Sequence, residues 1–139
     1  MSLDEHRKAV DRIDLEILRL LGERLRVAKA IGEAKLKAGA PVYAPQREEQ
    51  VLRSLVEAAP SLPASGIRSV FREIISLSIG AQMAKPVAYL GPEGSFTQQA
   101  QIRAFGSSVP ALPLKSISDI FAAVESGEAS YGVVPVENS

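Results

Sequence analysis

Arg24 and Lys35 occupy places in the apolar stripe of one long predicted helix. At about 100° per residue, Ile13, Ile17, Leu20, Ile31 and Lys35 all fall within roughly 40° of Arg24. A charge at the centre of such a stripe is costly unless a partner compensates it. Nothing acidic lies on that part of the stripe. An anionic ligand is the natural partner.

Arg24 and Lys35 stand three turns apart on one face, about 16 Å along the axis, a spacing that lets them grip opposite ends of a small molecule. Ser78 and Gln82, spaced i, i+4 on a later helix, share a face bordering Ile75 and Ile79. Arg47 and Glu48 open a second helix and supply one donor fork and one acceptor. Arg7 is about 100° off the Arg24 direction and does not serve the same pocket from the same chain. In an antiparallel dimer it reaches the partner's pocket. Each residue also has a plainer reading: Arg7 and Arg47 as solvated surface charges, Lys35 snorkelling near a helix C-terminus, Ser78 bonding back to its own helix, Gln82 exposed. Arg24, mid-helix and mid-stripe, resists such a reading most.

The elements that position these groups follow from caps and breaks. Ser2 to Glu5 has capping-box spacing, and the helical pattern continues to about Lys37, where Gly39-Ala40-Pro41 ends it. Gly22 and Gly32 each weaken that helix by about 1 kcal/mol relative to Ala. A rod of about 50 Å is too long for one small chain to cover, so self-association is the natural remedy. Pro45 opens a second helix carrying Val51, Leu52, Leu55 and Val56; a third runs from about Ala64 to Ala84. The character then changes at Lys85-Pro86. Val87 to Gly91 reads as a strand, Phe96 starts a helix, Ala111 to Leu114 is a weaker strand, Ser116 to Ser126 is helical, and Tyr131 to Val136 is another strand. This alternation opens an α/β domain without closing it.

The bulk properties narrow the function. The chain has 139 residues, 16 basic and 16 acidic, with no basic tract, which argues against nucleic acid or a membrane surface as partner. There is no cysteine, which removes disulfides, thiol nucleophiles and thiolate metal sites. His6 is the single histidine and lies near the N-terminus, so a histidine-based metal site or catalytic triad is excluded. With no apolar signal region and no membrane-length apolar run, a soluble cytoplasmic protein is expected.

The order and spacing of these residues resemble the all-helical chorismate mutase family, especially the mutase domain fused to prephenate dehydratase. The resemblance is carried by Ile13-Asp14 through Leu20-Leu21-Gly22-Glu23-Arg24, Ile31 to Lys35, Pro41-Val42, Arg47-Glu48, and Phe71 through Ser78 to Gln82. It implies an all-α three-helix domain over residues 1–85 that forms an intertwined homodimer, each site borrowing Arg7 from the other chain. It also implies the pericyclic rearrangement of chorismate to prephenate, which needs no nucleophile, metal or cofactor. Catalysis then rests on holding the reactive conformer and stabilising charge in the transition state. By this resemblance, Arg7 and Arg24 bind the two carboxylates, Arg47 supports the site, and Ser78 assists at a carboxylate. Lys35 and Gln82 donate to the ether oxygen, and Glu48 accepts from the ring hydroxyl. Gln82 donates at any pH, so no acid requirement is expected there. Ala44 is a departure, standing where some members carry an aspartate.

Residues 86–139 resemble the start of prephenate dehydratase through Tyr89 to Thr97 and Gly132 to Ser139. Thr97 and Asn138 are the site positions this second resemblance marks. The Thr-Arg-Phe motif of that family is absent, the α/β segment is incomplete, and no dehydratase activity is expected of this chain. Two rival functions share much of this pattern. An isochorismate-pyruvate lyase has the same fold, and the dehydratase-like continuation argues against it because prephenate is that domain's substrate. A non-catalytic helical dimerisation module would tolerate loss of Arg24.

Overall fold

The first helix, α1 (Leu3–Ala38), begins at a closed capping box: the Glu5 backbone N–H donates to Ser2 Oγ at 3.1 Å, and the Ser2 N–H donates to Glu5 Oε2 at 3.0 Å. Asp4 and Glu5 in the first turn and Lys35 and Lys37 in the last turn complement the helix dipole. Gly39 closes the helix in the left-handed region, at φ 68°, where a side chain would be strained. The computed structural model describes residues 1–136.

Helix α2 (Pro45–Ala58) takes its proline in the first turn, where a missing N–H costs nothing. Its N-cap is Ala44, which provides no side-chain cap. Helix α3 (Ala64–Gln82) packs on both α1 and α2. The sequence pattern runs to Ala84, yet α3 stops at Gln82 and Met83 is extended; Pro86 drives the chain before it out of the helical region. At 19 residues, about 28 Å, α3 reaches only part way along the roughly 54 Å of α1. The N-terminal half of α1 is consequently exposed, with Ile13 57%, Ile17 47% and Leu20 49% accessible.

After α3 comes a three-stranded parallel sheet of β1 (Val87–Leu90), β2 (Ala111–Leu114) and β3 (Tyr131–Val133), ordered β2-β1-β3. Helix α4 (Phe96–Phe105), capped by Ser95, links β1 to β2, and α5 (Ile117–Glu125), capped by Ser116, links β2 to β3. The apolar pattern suggested strand as far as Val136, but β3 ends at Val133. Pro135 has no N–H to give a ladder, and β3 is an edge strand.

Successive residues of β1 point to opposite faces. Val87 packs in a cluster with Ile79, Phe105 and Val109, to which Val42, Tyr43 and Ile75 of the helical part contribute. Ala88 packs instead with Ile120, Ala123 and Ala129 on the α5 side. One face of the small sheet is thus roofed by the helical part, and the two halves of the chain share a core. Among the described residues, no helix is long and apolar enough to cross a membrane.

Candidate active site

Six polar residues named from the sequence converge on one cavity of about 430 Å³ between the three helices: Arg24, Lys35, Arg47, Glu48, Ser78 and Gln82. The volume lies in the range of small-molecule sites. Val27, Ala28, Ile31, Val51, Ile75 and Ile79 supply apolar walls, which hold the dielectric down and strengthen each charge within.

Arg24 reaches across from α1 to α3, where its Nη1 donates to the Ser78 hydroxyl. Ser78 is 6% exposed and donates in turn to the Ile74 carbonyl at 3.2 Å. The plainer reading of Ser78, bonding back along its own helix, is realised, and the same hydroxyl also accepts from Arg24. Burial pulls the Arg24 guanidinium below its ordinary value, because a half-buried cation lacks part of its hydration. Among the described residues, Arg24, Lys35 and Arg47 have no place in the ion pairs, which are Lys8–Asp4, Arg19–Glu16, Arg19–Glu23 and Arg68–Glu49.

Lys35 Nζ donates to the Val42 backbone carbonyl at 3.1 Å and to Gln82 Oε1 at 3.3 Å. With Oε1 taken, what Gln82 has left to offer is its amide N–H donors. Gly32 lies under this pair: a Cβ there would come within 2.9 Å of Gln82 Cγ and 3.1 Å of its Cα. The absent side chain lets α1 and α3 approach closely enough for Lys35 and Gln82 to meet. Glu48 is half-buried at the start of α2. Burial raises its carboxyl above the ordinary range, against the opposing pull of Arg72 and Lys35. Arg47 is exposed at the rim, its Nη1 donating to Gln50 Oε1 at 2.9 Å.

This arrangement presents two cations at opposite ends of an apolar slot, with amide, hydroxyl and carboxylate groups between them. It suits a small dianion with a polar linkage in the middle. The chorismate mutase type II family profile matches residues 6–83, more than half of the chain and the whole of this pocket. The chain belongs to the chorismate mutase type II family. The prephenate dehydratase profile matches residues 87–139. Among curated proteins, the chain is similar to the bifunctional chorismate mutase/prephenate dehydratases of three bacteria. That of Aquifex aeolicus is 44% identical over 143 residues, covering 99% of this chain and 40% of the relative. That of Neisseria gonorrhoeae is 46% identical, covering 96% and 37%, and that of Escherichia coli K12 is 34% identical, covering 96% and 39%. The chain therefore spans about 40% of the length of these relatives. No solved structure gives a significant match.

Within this mutase-family chain, two residues marked in the sequence, Arg7 and Thr97, stand apart from the pocket. Arg7 is exposed on the free half of α1, 17 residues and about 26 Å along the axis from Arg24. Thr97 is buried at the start of α4, where its hydroxyl bonds the Leu90 carbonyl. Asn138 lies outside the described residues.

One group at the mutase-family pocket, the Val42 carbonyl, and one charge acting on it from outside, Arg72, escaped the sequence reading. The Val42 carbonyl is backbone and leaves no mark in residue type, although the Gly39 to Pro41 reversal returns the chain toward the last turn of α1. Arg72 stands on α3 one turn before Ile75, and only the packing of α3 on α2 brings its charge to bear on Glu48.

Proposed function

We propose that the helical domain, residues 1–85, catalyses the rearrangement of chorismate to prephenate, with residues 86–139 corresponding to an N-terminal fragment of a dehydratase-like α/β domain. The ether C–O bond breaks as a new C–C bond forms in one pericyclic step. No atom is gained or lost, and no proton has to move. The protein's task is to hold the reactive conformer and to stabilise the charge that grows on the ether oxygen.

The observation that carries this reading is the convergence of Arg24 and Lys35 on one apolar-walled cavity, neither of them in an ion pair with a carboxylate among the described residues. Arg24, backed by Ser78, receives a carboxylate. Lys35 and the free amide donors of Gln82 meet the ether oxygen, where their attraction is strongest in the transition state. Glu48 accepts from the ring hydroxyl, a bond that partly replaces its lost hydration. Arg47 supports the site from the rim.

The remaining carboxylate falls to Arg7 of a second copy of the chain, in a homodimer. Two observations support this: Arg7 is too far from Arg24 to share its pocket, and the α1 stripe bearing Ile13, Ile17 and Leu20 is uncovered. Burying that stripe against a partner gains about 25 cal/mol for each Å² of apolar surface.

The test is an assay that follows chorismate loss, prephenate formation and pyruvate release for the wild type, Arg24→Ala and Lys35→Ala. Prephenate without pyruvate is expected from the wild type, with rates about 10²- to 10³-fold lower in each variant. A wild type with no turnover would sink the proposal, and pyruvate release would reassign the chain to lyase chemistry.

A further inference from the structure

We propose that Tyr43, Phe105 and Tyr131 are positioning residues for the mutase reaction, through which the α/β segment holds the loop that fixes Lys35. The inference rests on the mutase reading above and deepens it.

The loop between α1 and α2 has few bonds of its own. At its ends the Ala40 N–H donates to the Lys35 carbonyl at 2.9 Å, and the Ala44 carbonyl accepts from the Glu48 N–H at 3.1 Å. Between these ends, a single peptide group meets a different partner on each side. The Val42 carbonyl accepts from Lys35 Nζ inside the cavity at 3.1 Å. The Tyr43 N–H donates outward to the Tyr131 hydroxyl on β3 at 3.1 Å, across 88 residues of sequence. The carbonyl of residue 42 and the N–H of residue 43 are joined by one C–N bond, so the same peptide plane carries both. Turning that plane to satisfy one partner sets the other.

Aromatic packing holds the plane in place. The Tyr43 ring lies against Phe105, centroids 4.7 Å apart, and meets Tyr131 edge-on at 6.2 Å. Phe105 and Tyr131 are themselves 5.6 Å apart, which closes the triangle. Phe105 is tied to α3 as well: its carbonyl accepts from the Ser76 hydroxyl at 2.7 Å, and the same hydroxyl accepts from the Ser108 N–H at 3.1 Å. Two of the three rings come from the α/β segment, and α3 anchors that segment beside the cavity. Lys35 carries four rotatable side-chain bonds, and among the described residues the Val42 carbonyl is its one backbone acceptor beside the Gln82 side chain. Holding that carbonyl lowers the entropy lost when Nζ is aimed at the reacting oxygen.

Tyr131→Phe tests this in the full chain, because it removes one hydroxyl and keeps the ring. The expected result is a kcat about 3- to 10-fold lower, the effect of one net hydrogen bond. KM should stay within about twofold, because the lost contact serves charge that develops only in the transition state. Amide hydrogen exchange at Tyr43 should accelerate while the amides in the middle of α3 keep wild-type rates. Phe105→Leu, which loosens the ring packing by a different route, should give the same kcat-selective loss. A Tyr131→Phe protein with wild-type kcat, or with its loss confined to KM, overturns the inference and leaves the mutase reading intact. A wild type without turnover removes both, and the wild-type rate alone tells that outcome apart.

Discussion

Arg24 and Ser78 meet where α1 crosses α3, with the guanidinium donating to a hydroxyl whose own proton is committed to Ile74. Ser78 is therefore fixed as an acceptor and orients Arg24 without cancelling its charge. A carboxylate in the same place would neutralise the site before any ligand arrived. The relationship separates what Arg24 does for binding from what it does for the fold.

Replacing Arg24 by Met should therefore leave the unfolding free energy unchanged or raised, since a half-buried cation with only a hydroxyl for company gives way to apolar packing. Ser78→Ala should act differently. It removes a group that orients Arg24 equally for substrate and transition state, so KM rises about 3- to 10-fold while kcat holds within about twofold. Denaturant melts check the first outcome and steady-state kinetics the second. A strongly destabilised Arg24→Met would show that the guanidinium braces the helix crossing.

Glu48 gives a pH-dependent prediction. Burial raises its carboxyl in the folded state above the ordinary value, so folding favours the protonated form. That contribution to stability is present below the ordinary carboxylate range and is lost as pH rises through the raised folded value. Glu48→Gln carries no such titration. The variant should be the more stable protein at pH 7, and its advantage should shrink as pH falls to about 4 and below. Urea midpoints measured across that window for both proteins decide it; a constant gap at every pH would remove Glu48 as the cause.

Glycines 22 and 32 lie on the same helix and should respond oppositely to alanine. Nothing stands within 4 Å of a Cβ added at Gly22, so Gly22→Ala should gain about 0.5–1 kcal/mol of helix propensity. At Gly32 the added carbon meets Gln82 at both Cγ and Cα. Overpacking of that kind costs about 1–3 kcal/mol, more than the propensity gain offsets, and it pushes Gln82 away from Lys35. Gly32→Ala should therefore lose stability and mutase rate together, read by thermal melts and kcat.

The parts of this fold that could be read from sequence were those coded locally. The Ser2/Glu5 box, Gly39 and Pro45 each act within one helical turn, and all mark boundaries in the structure. Helical spacing likewise grouped Arg24 with Lys35, and Ser78 with Gln82. Groups paired only by tertiary packing were not legible: Tyr43 with Tyr131, the Val42 carbonyl with Lys35, Arg72 beside Glu48. The roof over β1 belongs with them, because nothing within residues 86–139 encodes that α3 and Tyr43 will cover it. Periodicity also marks a stripe as apolar without saying what buries it, and the first half of α1 shows the difference.

The most direct test of that stripe uses two defective chains together. If each site combines Arg24 of one chain with Arg7 of the other, then Arg7→Ala and Arg24→Ala should each be nearly inactive as pure dimers. Unfolding an equal mixture and refolding it re-pairs the chains at random, so about half of the dimers are hybrids. In each hybrid one site receives both substitutions and the other receives neither. Mutase activity should then return to about one quarter of the wild-type value, far above either parent. Ile17→Glu on the stripe should abolish the effect by blocking association, with a sedimenting species of one chain's mass. A refolded mixture as inactive as its parents would place Arg7 outside the site, and a wild type that sediments as one chain would leave the stripe without its partner.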